Sequence, residues 1–178
     1  MSHPRRKRIV VFGSSDPTPG EPAYEQARAL GDALARAGYD LVNGGYGGTM
    51  AASARGARDA GGRTIGVTCN AFGPVPANPF IDQEIRTPNL PQRLATLIDL
   101  ADGFVVLGGA TGTLVELAMT WELTAKRQMP ARPIVCLGEF WQPLIRLMAD
   151  AGATRGDWLI VAPDVPAVVA ALGRWSDR

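Results

Sequence analysis

A glutamate beside a glycine-rich turn is the feature of this sequence with the clearest chemical meaning. The turn, residues 108–113, follows the apolar run 103–107, which is typical of a buried parallel strand. A helical pattern comes next, so the turn's N–H groups lie at a helix N-terminus, where they can hold a phosphate. Glu116, three residues after Thr113, is predicted on the same helix face and leans towards that terminus. A phosphate cradle with a carboxylate beside it indicates chemistry on a phosphorylated sugar.

Arg93 is the second candidate residue. It falls in the first turn of a helix that is predicted to begin after Asn89, where a positive charge opposes the helix dipole. Residues that break such local preferences often belong to functional sites. A planar guanidinium suits a nucleotide phosphate or the edge of a base. The alternative interpretation is a solvated surface arginine.

Two more glycine-rich turns follow predicted strands, at residues 13–15 and 44–49. Because the carboxyl ends of parallel strands meet at one edge of a sheet, all three turns are expected there. Together they favour a nucleotide or sugar-phosphate site over plain turn chemistry. The candidate binding residues are Gly13, Ser14, Ser15, Gly44, Gly45, Gly47, Gly48, Thr49, Gly109, Thr111, Gly112 and Thr113.

The sequence also disfavours several common functions. No turn ends in the Gly-Lys-Ser/Thr of a P-loop, and none has Gly-x-Gly-x-x-Gly in frame, so ATP hydrolysis and NAD-dependent hydride transfer are disfavoured. The one histidine is His3, which argues against a histidine triad or a histidine-ligated metal. The two lysines, Lys7 and Lys126, are not placed like a Schiff-base lysine. We therefore expect neither a metal nor a cofactor.

The elements that position these residues alternate along the chain. Strands are predicted at residues 8–13, 40–43, 63–68, 81–86, 103–107, 133–137 and 158–161. Helices are predicted at residues 21–38, 49–60, 91–101, about 113–125, 141–151 and 165–175, with a Pro- and Gly-rich loop at 70–80. This order predicts an α/β fold with a single doubly wound parallel sheet and helices on both faces.

Length and composition fit one domain over residues 1–178. Residues 1–7 are expected to form a flexible basic tail, because the apolar run behind them is too short for a signal peptide. The net charge of +1 gives no reason to expect nucleic acid or a membrane surface, and no apolar stretch would span a bilayer. Cys69 and Cys136 lie in apolar stretches and are predicted to be reduced thiols of a cytoplasmic protein.

These motifs resemble those of the LONELY GUY (LOG) family. Its Pro-Gly-Gly-x-Gly-Thr-x-x-Glu motif aligns with residues 108–116, and Arg93 falls at the spacing of the family's arginine. The similarity extends to residues 12–15, 41–45 and 62–67, and so covers most of the chain. Three positions depart from the family's motif. Gly108 replaces its proline, Ala110 replaces its second glycine, and Val115 replaces the acid that is common before the glutamate.

The resemblance implies a Rossmann-like fold and a phosphoribohydrolase. Such an enzyme cleaves the N-glycosidic bond of a nucleoside 5′-monophosphate, such as AMP or a cytokinin riboside monophosphate, to a base and ribose 5-phosphate. Glu116 would then stabilise the oxocarbenium-like state, Arg93 would position the nucleotide, and the turns would bind its phosphate. Asp16 is a candidate for protonating the base, although capping of the first helix is the simpler role.

Two further expectations come with the resemblance. Relatives in the wider superfamily bind nucleotide-like ligands without cleaving them, so a non-catalytic nucleotide or molybdenum-cofactor carrier is the alternative function. The resemblance also implies a homodimer, for which the helix with Met119 and Trp121 and the helix after Asn89 are the candidate interface. A stripe of Met and Trp is, however, more often core packing.

Overall fold

The computed structural model describes residues 5–176, so residues 1–4 of the predicted basic tail lie outside the described residues. The strands are β1 (Arg8–Phe12), β2 (Asp40–Asn43), β3 (Thr64–Cys69), β4 (Gln83–Thr87), β5 (Gly103–Val106), β6 (Ile134–Leu137) and β7 (Leu159–Ala162). The helices are α1 (Pro22–Arg36), α2 (Thr49–Asp59), α3 (Leu90–Leu100), α4 (Thr111–Ala125), α5 (Gln142–Asp150) and α6 (Val165–Ser176). Arg5, in the described part of the tail, is exposed and its guanidinium bonds to Asp102 at 2.9 Å.

The strands form one seven-stranded sheet in the order β4-β3-β2-β1-β5-β6-β7, and every pairing is parallel. The chain begins at the centre, builds outwards to β4, and then returns to the other side of β1. The strand order therefore reverses between β1 and β5, which leaves a crevice at the carboxyl ends of these two strands. Val10 of β1 pairs with Val42 on one side and with Phe104 on the other.

Helices cover both faces of the sheet, as the apolar strands predict. Successive strand residues point to opposite faces, so Val11 packs with the apolar stripes of α1, α2 and α6. Its neighbour Val10 packs in the second core, with residues of α3, α4 and α5. Strands buried on both faces need nearly continuous apolar sequence, and β1 and β5 have it. The predicted doubly wound α/β fold is confirmed.

Differences from the predicted elements are confined to their ends. The strand predicted at residues 81–86 is β4, Gln83–Thr87, because Ile81 still belongs to a turn in which its N–H donates to Asn78. The predicted loop 70–80 begins with one 3-10 turn, Asn70–Phe72. Asn89 caps α3 as predicted, and its side chain accepts the N–H of Gln92 at 2.9 Å.

Candidate active site

A cavity of about 620 Å³ opens at the crevice between the ends of β1 and β5. Its walls come from residues 13–16 after β1, from the start of α2, from the loop after β3, and from the first turns of α3 and α4. Ligands of open α/β sheets bind at this kind of reversal in strand order. The sheet therefore brings the three predicted turns to one edge, and two of them face the cavity directly.

The start of α4 presents unpaired backbone donors to this cavity. Ala110, the N-cap residue, makes no side-chain cap, and residues 110–113 line the cavity. The first N–H groups of a helix have no acceptor within it, so these amides and the helix dipole favour an anion. Ala110 has φ of −91°, which any L-residue adopts, so the loss of the family's glycine there does not strain the turn.

Gly109 has a different role from the one predicted. It does not line the cavity, and a Cβ at this position would overlap the Thr113 Oγ1. Thr113 is buried and lines the cavity, and its side chain lies against the glycine. The glycine thus lets the first turn of α4 fold closely over its own loop.

The second glycine-rich turn, residues 44–49 after β2, forms hydrogen bonds with the first, residues 13–15 after β1. Thr49 donates both its N–H and its Oγ1 hydroxyl to the Ser14 carbonyl, each at 2.9 Å. Gly48 has φ of 63°, and a Cβ there would overlap the same carbonyl. Because these donors are already bonded to protein, they are not available to a phosphate. None of the predicted residues Gly44, Gly45, Gly47, Gly48 and Thr49 lines the cavity.

A hydrogen-bonded carboxylate, Asp16, directly follows the turn at residues 13–15. Asp16 accepts bonds from the hydroxyls of Ser14 at 3.1 Å and Ser15 at 3.4 Å, and all three residues line the cavity with Gly13. The prediction that Asp16 caps α1 is wrong, because Glu21 is the N-cap residue of that helix. Asp16 instead orients the two serine hydroxyls at the edge of the cavity.

Arg93 is buried rather than solvated, with 6% of the residue exposed. Its Nε donates to the Val67 carbonyl at 2.8 Å and its Nη2 donates to the Gly44 carbonyl at 3.3 Å. A Cβ at Gly44 would overlap this guanidinium, so the glycine permits the close approach. These bonds fix the side chain to the ends of β2 and β3 and leave Nη1 directed to Glu116.

Glu116 and Arg93 form a buried ion pair, with 3.7 Å between Oε1 and Nη1. Glu116 is only 8% exposed and lines the same cavity. Burial raises the pKa of Glu116 to about 7, and the neighbouring Arg93 charge acts in the opposite direction. Near neutral pH the carboxyl therefore exchanges readily between its charged and neutral forms, as a group that handles protons requires.

Two aromatic rings contact the guanidinium. The Arg93 Cζ atom lies 5.6 Å from the ring centroid of Tyr46 and 5.8 Å from that of Phe72, and the two centroids are 6.0 Å apart. Since these three distances are nearly equal, both rings lie on the same side of the guanidinium. They form an aromatic corner at the end of the cavity, with a cation–π contact to each ring.

The sequence did not single out several residues that line this end of the cavity. Tyr46 lies in the second turn, and Phe72 and Val75 lie in the 70–80 loop. Aromatic residues in loops carry no periodic signal, so only the structure shows that they face inwards. Leu90 and Leu94, in the first turns of α3, also line the cavity.

The described residues form neither a metal-binding cluster nor a membrane-spanning helix. Within residues 5–176, no cluster of three or more His, Cys, Asp or Glu side chains is arranged to hold a metal ion. No helix in that range is long and apolar enough to cross a membrane. Cys69 and Cys136 are buried free thiols.

An open parallel sheet with a ligand cavity at its strand-order reversal defines a Rossmann-like protein. Within that class, the sequence model of the SLOG cluster4 family matches residues 6–152. The chain belongs to this family, in the superfamily of LOG proteins and molybdenum-cofactor carriers, as the motifs predicted.

Proteins similar to this chain include phosphoribohydrolases and a molybdenum cofactor carrier. A cytokinin riboside 5′-monophosphate phosphoribohydrolase of Rhodococcoides fascians is 30% identical over 186 residues, covering 97% of this chain and 92% of that protein. A protein of the same name from Mycobacterium tuberculosis is 36% identical over 122 residues, covering 64% and 61% of the two chains. The molybdenum cofactor carrier protein of Chlamydomonas reinhardtii is 28% identical, with a TM-score of 0.73 over 98% of this chain and 100% of that one.

Proposed function

We propose that this protein is a nucleoside 5′-monophosphate phosphoribohydrolase. It would hydrolyse the N-glycosidic bond of AMP or a cytokinin riboside monophosphate. Water adds to the anomeric carbon and loses a proton, the bond to the base nitrogen breaks and that nitrogen gains a proton, and the products are the base and ribose 5-phosphate. The observation that carries the proposal is the buried Arg93–Glu116 pair beside the uncapped start of α4, all in one cavity.

Glu116 supplies the chemistry in this proposal. The cleavage passes through an oxocarbenium-like state, and a carboxylate in a dry site stabilises the positive charge that develops there. The same carboxylate takes the proton of the attacking water, which its pKa of about 7 allows. Arg93 is fixed by two carbonyls and can orient the sugar or the phosphate through Nη1.

The start of α4 binds the phosphate. The amides of residues 111–113 face the cavity without a side-chain cap, so a 5′-phosphate can accept from them. The serine hydroxyls of the first turn complete the polar end of the cavity. The departures from the family motif do not remove these donors: Ala110 keeps an ordinary backbone conformation, and Val115 is an exposed residue at the cavity wall.

Incubation with AMP tests the proposal. Chromatography should detect adenine and ribose 5-phosphate in equal amounts. Glu116→Gln should keep the fold and lower the rate on the order of 100-fold or more, as expected when a placed carboxylate is lost. Glu122→Gln, on the exposed side of the same helix, is the matched control and should keep the rate. Near wild-type turnover by Glu116→Gln would contradict the mechanism.

A carrier of the molybdenum cofactor or another nucleotide is the second candidate. It is favoured by the Chlamydomonas reinhardtii carrier protein, whose fold matches 98% of this chain at 28% identity. Carriers and hydrolases are separated by turnover. Stoichiometric binding of AMP or molybdenum cofactor, with no release of a base from any nucleotide in a panel, would support the carrier.

We further propose a cytoplasmic homodimer whose ligand is a small nucleotide rather than a nucleic acid. Two buried free cysteines support a reducing compartment. Trp121 is unsuited to an interface, because it is buried and its indole N–H donates to the Thr154 carbonyl at 2.8 Å. The exposed part of α4 at Ala118 supports an interface instead. Light scattering should give twice the mass of one chain.

A further inference from the structure

Three kinds of chemical group line the cavity. From Thr113 to Glu116 the helix rises about 4.5 Å, which separates the free amides from the carboxylate. The Arg93 Nη1 atom lies 3.7 Å from the Glu116 Oε1 atom. The ring centroids of Tyr46 and Phe72, which form the aromatic corner, lie within 5.8 Å of the Arg93 Cζ atom. The cavity therefore contains anion donors, a charged pair and aromatic rings, which suit the phosphate, sugar and base of a nucleotide respectively.

The aromatic end of the cavity has little hydrogen-bonding capacity left in its side chains. The Tyr46 hydroxyl accepts the Cys69 N–H at 2.8 Å and donates to the Cys69 carbonyl at 3.3 Å, so its proton is already used. Apart from Arg93, whose Nη1 faces Glu116, the side chains of Met50, Phe72, Val75, Leu90 and Leu94 among the described lining residues are apolar.

Exposed apolar surface is concentrated at the same place. Within residues 5–176, six large apolar side chains are exposed, and four of them line this cavity, namely Phe72, Val75, Leu90 and Val115. The Phe72 residue is 47% exposed, although its ring contacts the buried Arg93. Clustered exposed apolar groups mark a surface that a ligand covers.

We propose that this end recognises the base by stacking and apolar contact alone, with Phe72 as the specificity-determining residue. The inference rests on the proposed function, since it assumes that the ligand is a nucleotide. The substrate class is then purine nucleoside 5′-monophosphates with little regard to the polar edge of the base. A site that hydrogen-bonds a substrate group rejects an analogue without it by about 10⁴-fold or more, whereas an apolar pocket discriminates by about 10–200-fold.

AMP and IMP form the matched pair that tests this. Their rings have the same size, but position 6 and N1 exchange donor for acceptor. Calorimetry on the full chain carrying Glu116→Gln, which slows turnover, should give Kd values that agree within about 10-fold, in the apolar range. A difference of 100-fold or more would overturn the proposal, because a backbone or side-chain group would then read the base edge.

Phe72→Ala, in the same background, tests the stacking residue. It should weaken AMP and IMP equally, on the order of 10-fold, and leave the Kd of ribose 5-phosphate unchanged. Leu147→Ala, at an exposed apolar residue outside the cavity, is the control and should change none of the three. Unchanged AMP binding in Phe72→Ala, or an equal loss for ribose 5-phosphate, would overturn the proposal.

The outcomes separate this inference from the proposed function. Similar Kd values for AMP and IMP, without base release by the wild-type chain, would contradict the hydrolase and support the base recognition. Base release from AMP with 100-fold weaker binding of IMP would support the hydrolase and overturn the base recognition. Failure of both nucleotides to bind would overturn both.

Discussion

Replacing Glu116 with glutamine should make the protein more stable above neutral pH, although it removes the proposed catalytic carboxylate. Burial raises the pKa of Glu116 from 4.5 to about 7, even with Arg93 at 3.7 Å. One pKa unit corresponds to about 1.36 kcal/mol, so ionising this carboxyl costs the folded state about 3 kcal/mol. Glutamine has almost the same shape and does not ionise.

The pH dependence follows from the direction of the shift. Since the folded state has the higher pKa, this contribution to stability is complete below pH 4.5 and is lost as the pH rises through about 7. The wild-type chain should therefore lose about 3 kcal/mol relative to Glu116→Gln between about pH 4.5 and pH 8. For a chain of 178 residues this corresponds to a Tm difference of about 6–12 °C. Denaturant titrations and thermal scans at the two pH values measure it.

A matched variant isolates the buried group. Glu122 is on the same helix with its side chain 66% exposed, so Glu122→Gln should follow the wild-type pH dependence. The chain has one histidine, His3, which limits other titration in this range. Parallel stability curves for wild type and Glu116→Gln would refute the reasoning. So would a Glu116→Gln chain that is less stable at pH 8, because Arg93 would then depend on a negative partner more than burial opposes it.

Three other perturbations test the turns. Gly48→Ala should lower the free energy of unfolding by about 3 kcal/mol or more, because the φ of Gly48 is 63° and a Cβ would meet the Ser14 carbonyl. Gly61 has a similar φ of 75° but lies in open space, so Gly61→Ala should cost only about 1 kcal/mol. Denaturant unfolding compares the two variants. Thr111→Pro should preserve α4, since proline suits the first helical position, and should weaken binding of inorganic phosphate about 10-fold in calorimetry by removing one amide donor. Adenosine should be cleaved at least about 10-fold more slowly than AMP, because the phosphate contacts hold the sugar in place; equal rates would contradict the phosphate assignment.

The fold was predictable because its determinants are local. Apolar runs such as residues 103–107 identify buried strands, and the helix–strand alternation leaves few topologies for a parallel sheet. The edge strand β4 was placed two residues early, since its exposed sequence Gln-Glu-Ile-Arg-Thr lacks the apolar run of the central strands. Its register depends on pairing with β3, which no local pattern reveals.

The site was less predictable because the same local sequence serves different purposes. Residues 44–49 and 108–113 are both glycine-rich turns between a strand and a helix, yet the glycines and Thr49 of the former do not line the cavity, whereas residues 110–113 of the latter do. Arg93 was singled out by its conflict with the helix dipole, but its burial depends on a carbonyl from β3 and on the absence of a side chain at Gly44. Such contacts between distant segments appear only in the folded chain.

The Arg93–Glu116 pair is better explained by function than by stability. Arg93 opposes the dipole of α3, and Glu116 has its pKa raised by burial, so each residue breaks a rule that favours folding. Buried ion pairs are often replaced by apolar residues of similar volume at no loss of stability. Around this pair, α3 and α4 pack against an apolar core that could accommodate such a replacement. Two unfavourable choices 3.7 Å apart, in the cavity that also holds the free helix amides, support the proposal that the pair acts on a ligand.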